Sequence, residues 1–392
     1  MILQIVKIPD QEYNERIEKA SALVRSVGLD VLVVNSTESD FANVRYLSGY
    51  WPVFERAGVA ISANGDAALL VGFESRIFAA DFGKIDKIFV LKEYRESADP
   101  VCPEANPSTY RDVFRALGVQ GEKIRIGVAA WIDTTMVMMD GLTSTYPLAE
   151  IVRADSIMVE LRSIKSENEL ACIRSGFSMV EYATQEVIRA LKPGVTETQM
   201  VGVAQKAIYE MGAEYEGLPM YVFSEKSTSH AISRSRPDRV IGRNDIVQLN
   251  LSARVDGYSP SMGMPVCMGS LNSERRAYIQ YCLDMHNWTK MQLKAGVRAD
   301  QVAKDFYQQY IRSGHKDNYV YGPCHGTGMI EVEPPWMETT SEYLLQKNMT
   351  FQIDTFITAP GFGVRWEIGV AIKEDGIEEL CNPVGKIYEL GF

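Results

Sequence analysis

Four histidines in 392 residues leave each one open to individual reading. His325 stands in Gly322-Pro-Cys-His325-Gly-Thr-Gly328, where glycines let backbone or ligand come close to a strand end. His230 stands in the polar run Ser227-Thr-Ser-His230-Ala-Ile-Ser. A neutral imidazole titrates near working pH, so it can deprotonate a nucleophile and protonate a leaving nitrogen. The other reading is an ordinary loop histidine. His286 falls within a helical stretch and His315 follows the Gly314 stop, which suits packing or surface roles. Carboxylates gather in the same region: Glu331 and Glu333, then Asp354 in Phe351-Gln-Ile-Asp354, then Glu367 in Gly363-Val-Arg365-Trp-Glu367. Arg365, two residues before Glu367, could pair with both later acids as a purely structural partner.

Several elements must hold these groups. The stretch from Asp245 through Asn250 to Ser261 reads as two strands turning at Asp256-Gly257. Ser166, with Glu169 three residues later, forms a capping box that opens a long amphipathic helix through about Ala190. A faint repeat pairs Leu191-Lys-Pro-Gly194-Val195, Gln199 and Gly212 with Leu293-Lys-Ala-Gly296-Val297, Gln301 and Gly314 at one constant offset, each copy following a helix and opening another. The first third alternates helix and strand. Tyr13, Ile17, Ala20, Val24 and Val27 recur at helical spacing before Gly28, and Asp30-Val-Leu-Val-Val-Asn35 reads as a buried strand. Further strands are expected at Gly58-Val-Ala-Ile61, Ala67-Ala-Leu-Leu-Val71, Lys87-Ile-Phe-Val90 and Ile124-Arg-Ile-Gly-Val128. The Pro-containing segment from Asp99 to Pro107 reads as a surface loop. A domain boundary is expected between Asp155 and Leu161, giving domains 1–158 and 159–392.

Composition narrows the class. A 46% hydrophobic chain of this length can build two cores. The net charge of -11 argues against nucleic acid or an anionic membrane as partner, since both need a basic face. No basic-plus-apolar leader or membrane-length apolar run is found, so a cytoplasmic location is expected. Six scattered cysteines without a CxxC pair fit reduced thiols better than a disulfide framework.

Asn250, Ser261, His325, Asp354 and Glu367, taken in order on these elements, resemble the creatinase/aminopeptidase P/prolidase family, whose five metal ligands run Asp, Asp, His, Glu, Glu. The resemblance covers residues from roughly Leu161 to the C-terminus and, more loosely, the first domain. It implies an α/β N-terminal domain of creatinase/prolidase type and an α+β "pita-bread" C-terminal domain with pseudo-twofold duplication, its site between the halves. Three family carboxylates here read Asn, Ser and a shortened Asp, so no metal and no other cofactor is expected. Creatinase departs from its family in a similar way. The resemblance further implies His230 as the catalytic acid/base, with His325, Asp354 and Glu367 in the catalytic group. Without a cation, Asp354 and Glu367 facing one cleft would repel and raise one pKa, which a guanidinium- or amidinium-bearing substrate could relieve.

The substrate side is read the same way. With a one-residue gap, Arg56 falls on the creatinase arginine that enters the partner subunit's site and holds the substrate carboxylate, which implies a homodimer. Arg365, Asn250, Ser261, Glu331, Glu333 and Trp336 complete the expected binding residues, because acids beside an aromatic wall suit an organic cation. Creatine itself is disfavoured, since a creatinase glutamate falls on Gly263 and its second carboxylate-binding arginine on Trp336. Val332 stands where peptidase relatives carry a second histidine. The leading expectation is therefore a metal-independent hydrolase of a non-peptide C–N bond in a small zwitterion, with peptidase activity doubted. The alternatives are an Xaa-Pro metallopeptidase with a reduced site of His325, Asp354 and Glu367, a lyase, or a binding module that keeps the fold.

Overall fold

The computed structural model describes residues 6–96, 106–381 and 386–392. The expected loop from Asp99 lies largely outside them, as does Cys102. The chain divides into a compact unit Ile8–Arg162 and a second that includes Ser163–Phe392.

The first unit runs α1 (Asp10–Ser26), β1 (Val31–Ser36), α2 (Ala42–Ser48), β2 (Ala57–Ser62), β3 (Ala67–Val71), α3 (Arg76–Phe82), β4 (Ile88–Val90), α4 (Tyr110–Ala116), β5 (Arg125–Ala129), α5 (Met136–Thr145), β6 (Glu150–Arg153) and α6 (Asp155–Ser163). Its sheet has the order β4-β3-β2-β1-β5-β6. β1 lies antiparallel to β2 and parallel to β5. Every residue of β1 and β2 is buried, the unbroken apolar pattern of strands covered on both faces. α1 buries Tyr13, Ile17, Ala20 and Val24 and ends where Gly28 takes φ 70°. Val27, expected on the apolar stripe, is instead exposed just past the last turn.

The second unit runs α7 (Glu167–Ala190), α8 (Glu197–Glu210), β7 (Tyr221–Ser224), β8 (Ile246–Ser252), β9 (Ser261–Cys267), α9 (Ser273–Gln292), α10 (Ala299–Arg312), β10 (Cys324–Gly326), β11 (Glu333–Met337), β12 (Thr350–Ala359), β13 (Phe362–Lys373), β14 (Gly376–Glu379) and β15 (Tyr388–Glu389). Its sheet has the order β11-β10-β12-β13-β9-β8-β7, with β14 on β13 and β15 on β9. α7 opens on the complete Ser166–Glu169 capping box and buries Leu170, Ile173, Phe177, Val180 and Val187. A Cβ at Gly369 of β13 would stand 2.2 Å from the Phe177 ring, so the helix packs this closely only over glycine.

The repeat is visible in backbone bonds. Gly194 N–H donates to Ile241 O at 2.9 Å and Gly296 N–H to Leu345 O at 2.8 Å. Both glycines have positive φ, 96° and 83°, and each leads into the second helix of its pair, α8 or α10. β8 and β9 turn at Asp256 and Gly257, both at positive φ, and Val255 and Tyr258 exchange N–H···O bonds across the turn. That is the geometry a tight Asp-Gly hairpin requires. The five described cysteines, Cys172, Cys267, Cys282, Cys324 and Cys381, are buried and free. No described helix is long and apolar enough to cross a membrane.

Candidate active site

Strand alternation puts amide and charged residues of three strands on one face: Gln248 and Asn250 of β8, Gln352 and Asp354 of β12, Arg365 and Glu367 of β13. Asp354 sits directly opposite Glu367, and Glu367 opposite Gly263 of β9. Gly263 is needed there, because a Cβ would stand 2.6 Å from Asn250 Nδ2 and 2.9 Å from Glu367 Cβ. His325 projects from β10 opposite Gln352. These strands floor a cavity of about 280 Å³ lined by Asn250, Tyr321, His325, Glu331, Asp354, Arg365 and Glu367. Leu218, Ile232, Val332 and Trp336 supply apolar walls, and Trp336 stands half open to solvent.

Hydrogen bonds and one ion pair fix the acids. Glu367 accepts from Asn250 Nδ2 on one oxygen and from Ser261 Oγ on the other. Ser261 Oγ also lies 3.0 Å from Glu331 Oε1, and its position is held by Gln352 Nε2, 2.9 Å from the Ser261 carbonyl. Asp354 is paired with Arg365 Nε at 3.2 Å and accepts the Tyr321 hydroxyl at 2.6 Å. Arg365 also donates to Ala231 O at 2.8 Å and stacks over Phe356. His325 Nε2 stands 3.7 Å from Glu331 Oε1, with Nδ1 3.0 Å from Gly326 O.

Electrostatics follow from that layout. Burial raises the Glu367 pKa well above the usual carboxylate range, and the facing Glu331 and Asp354 push it further. Burial likewise raises Glu331. Burial disfavours the Arg365 cation, but Asp354, Tyr321 and Glu367 outweigh it and the guanidinium is held more firmly charged than usual. Asp354 thus has its counter-ion, whereas Glu331 and Glu367 feel the Arg365 charge but have no fixed cation paired directly with them among the described residues.

Several expected site residues fall elsewhere. Glu333 does not line the cavity, because its side chain is buried against Lys165 Nζ at 3.2 Å and accepts Ile330 N–H at 3.1 Å. His230 is exposed outside the lining, its Nδ1 3.3 Å from Ser233 Oγ, because the segment just after it is tied by the Arg365–Ala231 bond while the ring turns outward. Ser261 lies beneath the lining and works through Glu331 and Glu367. Arg56 belongs to the first unit, where its backbone N–H bonds Tyr94 O at 3.0 Å, and the neighbouring Glu55 is buried and engaged by Ser75 N–H at 2.9 Å. Tyr321, Tyr221, Gln352 and Lys165 were not foreseen. Gln352 was detectable, since it shares Asp354's strand face.

Metal ligation was expected to be absent. The structure nevertheless gathers His325, Glu331 and Glu367, with one donor atom from each within 4.8 Å of the others. The group differs from the reduced set of His325, Asp354 and Glu367, because Arg365 and Tyr321 occupy Asp354.

Comparison with known proteins agrees with this architecture. The profile of the metallopeptidase family M24 matches residues 171–374 and that of the creatinase/prolidase N-terminal domain matches 16–164. The Xaa-Pro dipeptidase of Pyrococcus furiosus is 23% identical over 384 residues, 94% of this chain and 98% of that protein. The uncharacterised peptidase YqhT of Bacillus subtilis is 24% identical over 374 residues, with 94% and 98% covered. Among solved structures, the X-Pro aminopeptidase of Thermotoga maritima superposes with a TM-score of 0.81 at 20% identity, over 95% of this chain and 99% of that one. These relatives overturn the leading sequence expectation: proteins aligned along nearly the whole chain are named peptidases and Xaa-Pro dipeptidases, so a metal-independent hydrolase of non-peptide C–N bonds is not the reading they support, nor is doubt about peptidase activity. Matched over more than half its length, the chain belongs to metallopeptidase family M24, with the family's creatinase/prolidase-type N-terminal domain.

Proposed function

We propose that this protein is a hydrolase of short peptides, of the Xaa-Pro dipeptidase type, acting in the cavity between β8, β10, β12 and β13. The observation that carries the reading is the convergence of His325, Glu331 and Glu367 in a small cavity on a chain that aligns end to end with dipeptidases. About 280 Å³ suits a dipeptide-sized substrate rather than a long chain.

The family implies metal, and the residues decide how much fits. Two adjacent ions do not: Asn250 and Ser261 are neutral and direct their hydrogens at Glu367, and Asp354 is held by Arg365 and Tyr321. One ion fits His325, Glu331 and Glu367. When bound there, a divalent ion would polarise a carbonyl and acidify water. The chain's own groups supply the rest. Asn250 and Ser261 orient Glu367. Arg365 keeps a fixed positive charge in the wall that can receive a substrate carboxylate. Leu218, Ile232, Val332 and Trp336 receive apolar side chains and limit water. The proposal includes a homodimer in which Arg56 enters the partner's site.

The test is hydrolysis of a dipeptide panel, Xaa-Pro and others, by protein loaded with Mn, Co or Zn, with released amino acids quantified and sedimentation run in parallel. Release of free amino acids from Xaa-Pro dipeptides by a dimer is expected. No turnover of any dipeptide by ion-loaded, folded protein would sink the proposal.

A further inference from the structure

We infer that Glu331 has taken over the ligand role missing at Ser261, so that His325, Glu331 and Glu367 form a one-ion site for a divalent transition cation, with Asp354 excluded from it. The inference deepens the peptidase reading and rests on it for its purpose only, since ion binding is measured without substrate.

The tautomer of His325 is the first argument. Its Nδ1 lies 3.0 Å from the Gly326 carbonyl, which can only accept, so Nδ1 carries the hydrogen. In that tautomer a neutral ring presents a bare lone pair at Nε2. That lone pair faces Glu331 Oε1 across 3.7 Å, too far for a hydrogen bond. Two electron-pair donors held toward each other leave a gap that a cation fills. A backbone carbonyl on the far ring nitrogen is the outer support that metal-binding histidines use.

The second argument is where Glu331 reaches. Ser261 stands at a position where the resemblance expects a carboxylate, and a hydroxymethyl group is too short to fill that space. Glu331 enters from the turn before β11, and its Oε1 sits 3.0 Å from Ser261 Oγ. The acid lost from β9 is thus replaced from the other side of the cavity. Ser261 becomes the hydroxyl between the two acids, its one hydrogen donated to Glu367 and its oxygen 3.0 Å from Glu331 Oε1.

Size and stoichiometry follow. Ligands around one ion at about 2.1 Å lie roughly 3–4 Å apart, so donors within 4.8 Å need only small rotations to close on it. One imidazole and two carboxylates suit Mn, Fe, Co or Zn. A second ion would need Asp354, and hence the displacement of a buried guanidinium 3.2 Å away and of the Tyr321 hydroxyl.

The experiment is titration of chelator-treated full-length protein with Co²⁺, followed by visible absorption and calorimetry, with elemental analysis after desalting. One ion per chain is expected for the wild type. Glu331→Gln should weaken binding by about 100-fold or more, since a ligand loss should exceed the cost of an outer-shell change. Glu331→Asp keeps the charge and so protects the fold, and should weaken binding to a lesser degree. Adding Ser261→Asp to Glu331→Gln should restore much of the affinity. Two ions per chain, no ion, or affinity unchanged in both Glu331 variants would overturn the inference. One-ion binding without dipeptide hydrolysis would fail the peptidase reading alone, and hydrolysis with two ions would fail this inference alone.

Discussion

His286 sets how the second unit responds to acid. Its imidazole is buried on the inner face of α9, beside the backbone of Trp366 on β13, the strand that carries Arg365 and Glu367. Burial, and after it Lys290 one turn along the helix, pushes its pKa down from 6.5 to about 3. Between those two values the unfolded chain takes up a proton and the folded ring does not, so stability rises with pH and falls as pH drops through that window. Each pH unit costs about 1.4 kcal/mol there, which gives a loss of about 2 kcal/mol at about pH 5. Domains are commonly stable by only about 5–15 kcal/mol, so the effect is measurable. The assay is urea unfolding of wild type and His286→Gln at a series of pH values. The substitution has a cost of its own near neutrality, but the gap between the two proteins should narrow by about 2 kcal/mol on going to about pH 5. Parallel curves for both proteins across the whole range would refute the argument and place the acid sensitivity elsewhere.

Two further outcomes follow from buried ion pairs. Arg365→Met strands Asp354 as an unpaired buried carboxylate and should cost about 3–5 kcal/mol in denaturant unfolding, most of it recovered when Asp354→Asn is added. Lys165→Met should cost a similar amount, about 3–5 kcal/mol, because Glu333 would lose a partner 3.2 Å away in a dry setting. If the companion Glu333→Leu does not restore stability, the pair is not what holds the turn before β11.

Much of the architecture was legible because local chemistry and tertiary structure agreed. Ser166 and Glu169 wrote the start of α7, Asp256-Gly257 wrote the hairpin, and Gly194 and Gly296 marked the repeated turns, since few other residues take those backbone angles. The family was legible too, through residue type and order. The cavity was not. Glu331 and Glu333 are two apart and were expected side by side. Strand alternation would keep them together, but β11 begins only at Glu333 and its register against β10 shifts between His325 and Gly326. Glu331 therefore turns to Ser261 and His325, and Glu333 to Lys165, 168 positions earlier in the chain.

Sequence by itself determined the family, the order of the elements and the neutral side chains at Asn250 and Ser261, because each is a property of residue identity and local spacing. Tertiary structure alone decided which acids are free to hold an ion. Asp354 was expected in the catalytic group until β13 set Arg365 Nε 3.2 Å from it, and Glu331 was expected only as a substrate-binding residue until the turn before β11 brought it to His325 and Glu367. Charge neutralisation and donor geometry depend on distances between strands far apart in the chain, and no pattern along one strand encodes them.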